Sequence, residues 1–465
     1  MAFSNYLDSS RPILREIVSE LGGKFSYVSV LGTDVRSLVV RANKNISSVT
    51  EGSGECGFVV KLHDGSSFFE YSFDELPDDV PALCRKIVDS TKISAGLSDL
   101  SISAEAVKDE PAREDFERPN DFADFSDSEL LSVCREISEK TVSADKRVLN
   151  ATVIIAPFTV SKLFVSKNRE LSQSYGWANG IIEAVFKDGK TVVADKYDYS
   201  DKLSEMIPHM REMVSPLLDL AEHLTRATPI KPGVYDVITD SSISGLIAHE
   251  AFGHGVEMDQ FVKERELAKK YVGKPVASNL TNMRDGAAAA VSAASYFFDD
   301  DGVLAHNTQI IKDGILVAGL SDLASAAQLC TEPTGNGRRE SFKRKAYSRM
   351  TNTFFDAGDS TLEEMIASVE HGYMLFDTNN GMEDPKNWQI QCTAEYGIEI
   401  ENGKLTDRYV SPVVMSGYVP DLLASISMVS RDLRVIGVGG CGKGYKEWVK
   451  VSDGGPNLKV KVKLG

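Results

Sequence analysis

Apolar residues recur at steps of three and four in several parts of this 465-residue chain, and each such stripe predicts a helix. In residues 10–22 the stripe is Ile13, Leu14, Ile17, Val18 and Leu21, and Gly22-Gly23 ends it. A second helix is expected at 81–93, with Pro81 in its first turn, and a third from Ser126 to about Arg147. Ser126-Asp-Ser-Glu129 has capping-box spacing. Leu203, Met206, Ile207, Met210, Val214, Leu217, Ala221 and Leu224 predict one long helix over 201–226, with Pro208 and Pro216 as kink points. Between these helices lie β signals at 25–31, 35–41, 56–62, 67–73, 148–157, 161–166, 171–178, 180–187 and 191–197. Asp64-Gly65 and Asp188-Gly189 are the hairpin turns, and His63 beside the first turn reads as a solvated loop residue. Residues 108–127 are rich in Asp, Glu and Pro without an apolar period, which predicts an acidic loop.

The pattern changes after Thr228-Pro229 and Lys231-Pro232-Gly233. Strands are then expected at 234–238, 296–298, 308–311, 315–319, 389–400, 409–415 and 449–463, and helices at 321–329, 361–370 and 420–428. Asp301-Gly302, Asp313-Gly314 and Asn402-Gly403 mark turns. The expected class is α+β, with an N-terminal α/β domain over 1–228 followed by an antiparallel-β-rich C-terminal domain over 229–465.

Composition narrows the function classes. The net charge of −17 repels a phosphate backbone and makes direct nucleic-acid binding a poor expectation. No apolar run follows the first residues and no stretch of about 18 apolar residues occurs, so neither a signal peptide nor a membrane span is expected. Six cysteines scattered without paired spacing fit a reducing cytoplasm.

The densest chemistry lies in Ser241-Ser-Ile-Ser-Gly-Leu-Ile-Ala-His249-Glu250-Ala-Phe-Gly-His254-Gly255, where two serines offer an N-cap. Two imidazoles and a carboxylate fall within six residues, but the histidines are spaced i, i+5. A regular helix would separate them by roughly 140°. One metal reaches both only if the helix opens, as a π-bulge allows, or ends there. Gly253 and Gly255 make either change inexpensive. Taken alone, the segment leaves open a helix with one core and one surface histidine, or a metal site. Cys441, among the glycines of Gly437-Val-Gly-Gly-Cys441-Gly-Lys443-Gly444, is the candidate third ligand, since packing does not explain a cysteine there. The same run almost spells a phosphate loop, but Gly444 stands where Ser/Thr belongs and a strand-like pattern follows. Asp299-Asp-Asp301-Gly302 lacks the later ligands of a calcium loop and reads as a turn. Thr334-Gly-Asn-Gly-Arg-Arg339 reads either as a plain turn or as a backbone nest with two cations for an anion.

Together with Pro333–Glu340, Arg349-Met-Thr-Asn-Thr353, Ser427-Met-Val429 and Gly440-Cys-Gly-Lys443, the histidine motif resembles the TldD/PmbA family. That family is known for modulators of DNA gyrase and for microcin-maturation metallopeptidases. The resemblance is dense from about residue 230 onward, and the intact His-Glu motif is similar to that of the catalytic TldD-type member. It implies that His249, His254 and Cys441 bind zinc and that Glu250 is the general base. Asn336, Arg338 and Arg339 are implied as substrate-positioning residues. The expected activity is hydrolysis of unfolded or short peptides, by a homodimer or by a heterodimer with a PmbA-like subunit. The rivals are a non-catalytic regulatory or assembly subunit of the gyrase-modulator kind and a small-molecule metallo-amidase. An unbroken α-helix through His254, with diverging imidazoles, would exclude the shared metal site.

Overall fold

The structure, a computed structural model, describes residues 3–94, 102–437, 439–444 and 446–465; Val438 and Tyr445, in and after the glycine-rich run, lie outside them. The N-terminal half is built on an eight-stranded sheet. Its main path runs Phe68–Phe73, Glu55–His63, Tyr27–Ala42, Val148–Ser166, Arg169–Asp188 and Ala112–Glu117. Ser47–Glu51 pairs with Tyr27–Ala42, and Lys190–Ser200 pairs with Arg169–Asp188. Asn5–Gly22 and Val80–Ser94 bury Leu14, Ile17 and Ile87 with Val30, Phe58 and Leu163 of the sheet. Asp127–Ala144, Leu203–Glu212 and Val214–Arg226 form a second core with Ile155, Ile182 and Phe186.

Several expected breaks are absent. The runs expected at 25–31 and 35–41 form one strand, Tyr27–Ala42, because Gly32 is not a turn residue. A Cβ there would come within 3.0 Å of Leu7 and Phe58, so the glycine lets helix and sheet close on each other. The paired runs at 148–166 and 171–187 likewise merge into two long strands. His63 is fully buried, with Nδ1 2.8 Å from the Ser26 hydroxyl, and is not a solvated loop residue. The acidic 108–127 segment supplies an edge strand, Ala112–Glu117, parallel to Arg169–Asp188, and Asp115 is held by Arg11 and Ser172. The long helix divides at Met213 instead of bending at its prolines. Pro216 has no N–H for the carbonyl of Glu212, so the ladder fails one turn before the ring.

In the C-terminal half five strands close into a barrel: His371–Asp384, Gly233–Thr239, Leu458–Leu464, Val413–Tyr418 and Gln389–Glu401, the last pairing back to the first. His371–Asp384 is not legible as a strand, since Asp377, Asn380 and Gly381 weaken its pattern; its two partners hold it. The expected strand at 296–298 shrinks to a single bridge, Phe298 to Leu304. A second sheet runs Ile315–Leu316, Thr308–Lys312, Met283–Asp285, Asn352–Phe355, Ser452–Gly455 and Arg434–Ile436. The motif helix, Ser241–Ala248, packs against both barrel and sheet, with Ile247, Phe252, Met350 and Phe355 in the shared core. Its N-cap is Asp240, not a serine: one carboxylate oxygen accepts from the Ile243 N–H at 2.8 Å and the other from the Asp377 N–H at 2.9 Å. Helix and barrel strand are thus fastened to one side chain.

The halves meet through buried charge. Asp301 pairs with Lys61, Asp300 with Lys162, and Arg339 with Glu70. The Asp299–Asp301 turn is therefore an interface element. Among the described residues no helix is long and apolar enough to cross a membrane.

The motif helix meets the sheet backbone to backbone at Gly245, where a Cβ would lie 2.4 Å from the Gly454 nitrogen. Neither backbone can yield, so Gly245→Ala is expected to destabilise the protein by about 1–3 kcal/mol. An unchanged denaturant midpoint would contradict this packing.

Candidate metal centre

The α-helix ends at Ala248 and continues as a π-turn over His249–Gly253, followed by a 3-10 turn over His254–Val256. The His254 N–H donates to the His249 carbonyl, an i→i+5 bond that takes up the extra residue. The two imidazoles consequently share a side of the helix, with ring centroids 5.1 Å apart and planes perpendicular. Gly253 has ordinary helical angles, φ −67° and ψ −63°, so its backbone freedom is not what the turn uses. What the site requires is the missing side chain, since a Cβ at Gly253 would lie 2.0 Å from the buried Met350 sulfur.

Cys441 arrives on a two-stranded hairpin, Gly440–Lys443 with Lys446–Lys450, and not on a phosphate-loop helix. Its Sγ lies 3.3 Å from His254 Nε2. One donor atom from each of His249, His254 and Cys441 lies within 4.8 Å of the others. Zinc bonds of 2.0–2.3 Å in a tetrahedral arrangement place such donors about 3.3–3.8 Å apart, so the set is nearly closed around an ion. His249 Nδ1 is buried without a hydrogen-bond partner. Burial works against a thiolate at Cys441, but the neighbouring His254 and His249 bring it down to about 4. Burial also opposes both imidazolium forms, and the thiolate outweighs it and raises both histidines. Without metal the three groups hold one another's charge.

A second layer of residues fixes these donors. Glu257 Oε2 faces His254 Nδ1 at 3.4 Å, which orients Nε2 toward the sulfur. The same carboxylate takes Lys443 at 3.0 Å and Arg349 at 3.2 Å. Burial pushes Glu257 up, but Lys443, His254 and Arg349 outweigh it and hold it well below the usual carboxylate range. Arg349, 1% exposed, donates to Cys441 Sγ at 3.1 Å and to the Cys441 carbonyl at 3.0 Å, and also to the Glu447 carbonyl.

Glu250 lies beside the donors in a cavity of about 740 Å³, lined also by Glu257, Glu266, Thr378, Glu383, Trp448 and Asp453. Its side chain rests on Gly381 of the barrel strand, where a Cβ would come within 2.7 Å of Glu250 Cγ and 2.9 Å of Oε1. The structure thus brings His249, Glu250, His254 and Cys441 together. Asn336, Arg338 and Arg339 lie elsewhere. Asn336 is buried and donates to Asp285 and to the Arg349 carbonyl; Arg338 and Arg339 line a separate cavity and bond to the Met350 carbonyl and Glu70. The residues not singled out by sequence are Glu257, Gly381, Glu266 and Glu383. Only Glu257 carried a local signal, three residues beyond His254 on the same short turn.

The pattern of the PmbA/TldA metallopeptidase C-terminal domain matches residues 232–464. A metalloprotease of Methanocaldococcus jannaschii is 34% identical over 235 residues, covering 50% of this chain and 51% of that protein. A metalloprotease TldD homolog of Haemophilus influenzae is 34% identical over 229 residues, 49% of this chain and 47% of that one. A zinc metalloprotease TldD homolog of Saccharolobus solfataricus is 30% identical over 287 residues, 59% and 63%. The chain spans about half the length of the first curated relatives it matches. In fold it is similar to a modulator of DNA gyrase from Thermotoga maritima (TM-score 0.79, 17% identity, 98% of this chain and 100% of that one). It is likewise similar to TldE from Thermococcus kodakarensis (TM-score 0.77, 18% identity, 97% and 100%).

Because Glu257 orients His254, Glu257→Gln is expected to lower metal affinity about 10–100-fold, measured by competition with a chromogenic chelator. Gly381→Val is expected to leave metal content intact and to displace Glu250, lowering any turnover that depends on it. Equal turnover in that variant would show that the glycine does not position the carboxylate.

Proposed function

Because this chain belongs to the PmbA/TldD family, we propose that it is a zinc-dependent peptidase acting on unfolded or short peptides. His249, His254 and Cys441 hold the metal and Glu250 is the general base. One observation carries this reading: two histidines brought to one side by a π-turn meet a cysteine 187 residues beyond His254, with a carboxylate beside them in an open cavity. Three protein donors leave a fourth position free, as catalytic zinc sites do and closed structural sites do not. The relatives' names as metalloproteases support the same reading.

Zinc, when bound, supplies Lewis acidity toward a water and toward the substrate carbonyl. Glu250 accepts the proton of the attacking water and returns it to the leaving amine, a role its place against Gly381 keeps open on the cavity side. Glu257 holds the His254 ring in one tautomer, and Arg349 holds the Cys441 hairpin and favours the thiolate. A reducing cytoplasm keeps that thiol free for the metal. In this reading the chain works as a dimer, either of itself or with a PmbA-like subunit, as its family membership suggests, and light scattering on the purified protein would distinguish a dimer from a monomer.

Cys441→Ala is expected to lose most of the bound zinc; unchanged zinc content by elemental analysis would remove the third ligand. Glu250→Gln is expected to keep zinc and fold yet to lose peptide hydrolysis by about two to four orders of magnitude. Turnover near that of the wild type would take Glu250 out of the mechanism.

A further inference from the structure

Two carboxylates in the metal cavity have no role in the chemistry above. Glu266 is 6% exposed, its Oε2 is buried without a hydrogen-bond partner, and its side chain lines the cavity. Glu383 lines the same cavity, and its Oε2 is likewise buried and unpartnered. They come from separate elements, the turn before Leu267–Tyr271 and the end of the barrel strand His371–Asp384. The Leu267 N–H donates to the Pro385 carbonyl at 3.2 Å and ties the two elements together there.

Among the described residues the cavity's own cations form no ion pair with them. Lys443 is committed to Glu257 and Asp259, and Arg349 to Glu257 and Cys441. Arg265 stands exposed at the cavity wall, and among the described residues no ion pair joins it to either carboxylate. A buried carboxylate without a partner is costly, and the cost falls when a cation enters. Burial, with Glu257 adding and His254 and Lys443 opposing, pushes Glu266 up to about 8; burial, against His254 and with Glu266 and Glu250 adding, pushes Glu383 up to about 9.

The distance from the reacting centre is legible from the strand. Gly381 faces Glu250, and Glu383, two residues on, faces the same side. Two residues of extended chain span about 6.6 Å, roughly the length of two residues of an extended peptide substrate.

We infer that Glu266 and Glu383 form a subsite that binds a primary ammonium group of the substrate, within about two residues of the scissile bond. The ammonium is either the peptide's own α-amine or a lysine side chain, since both present the same three donors to a carboxylate pair. This subsite rests on the peptidase reading above and adds to it a substrate class: peptides with a positive charge next to the cleaved bond.

The test uses four versions of one short peptide with a C-terminal fluorophore: Lys-Ala-Ala-Ala, its Nα-acetyl form, its norleucine form, and the form with both changes. Binding is measured to the full-length, zinc-loaded Glu250→Gln protein, and hydrolysis with the wild type. Loss of the recognised ammonium is expected to weaken binding about 10–100-fold, the range for a charged hydrogen bond. Acetylation alone having this effect identifies the α-amine, and norleucine alone the side chain. Adding Glu266→Gln and Glu383→Gln is expected to bring all four peptides within about twofold of one another, with zinc content and binding of the neutral peptide retained. Equal binding of the four peptides before those substitutions, or a preference that survives them, overturns the subsite. Hydrolysis of all four at equal kcat/KM leaves the peptidase standing without the subsite. Hydrolysis of none sinks the peptidase reading and the subsite with it.

Discussion

One buried guanidinium, that of Arg349, carries the geometry of the centre. It bonds to Glu257, to the sulfur and carbonyl of Cys441, and to the carbonyl of Glu447. Each belongs to a different part of the site: the turn after the histidines, the strand that brings the thiolate, and its returning partner strand. A charge this deep is stable only when every donor is used, and losing it would leave Glu257 and the thiolate buried and uncompensated. The two histidines and the cysteine, far apart in sequence, are therefore held in register by a residue that is not one of the three donors.

The scaffold around that charge is stiff where the site needs precision. The motif helix lies directly on backbone at Gly245, and its cap, Asp240, also grips the barrel strand at Asp377. That strand then passes Gly381 under Glu250 and Glu383 into the cavity. Closure of the barrel leaves this stretch few ways to shift, because its register is fixed by Gln389–Glu401 along its length and by Gly233–Thr239 at its start. Two absent side chains, at Gly253 and Gly381, give the centre its room. One admits Met350 and the other admits the Glu250 carboxylate.

Charge in the cavity is distributed unevenly. The lysine and the arginine closest to the donors are consumed by Glu257, Asp259 and Cys441, while Glu250, Glu266 and Glu383 remain open to whatever enters. This arrangement is the basis of the proposed zinc site and of the inferred ammonium subsite. The −17 balance of the chain points in the same direction but says nothing about where the charge lies.

By itself, the sequence determined what is local. The i, i+5 spacing of His249 and His254 already meant that one ion could reach both only if the helix opened or ended there, because 3.6 residues per turn point them apart; the structure opens it as a π-turn. Cys441 stood out because four glycines lie within three residues of it and no packing needs it there. The helices, the hairpin turns and the capping box at Ser126 follow from short-range pattern. Other features were decided by tertiary structure. Gly32 and Gly253 look like breaks in the chain and are contacts; His63 looks solvated and is core; 108–127 looks like a loop and carries a strand. His371–Asp384, which lines the cavity, has no strand-like pattern of its own and exists because the barrel pairs it on both sides. The roles of Arg349, Glu257, Glu266 and Glu383 depend on which groups meet after folding. A charged residue carries no local mark of whether it will face water or a partner, and only the packed chain settles that.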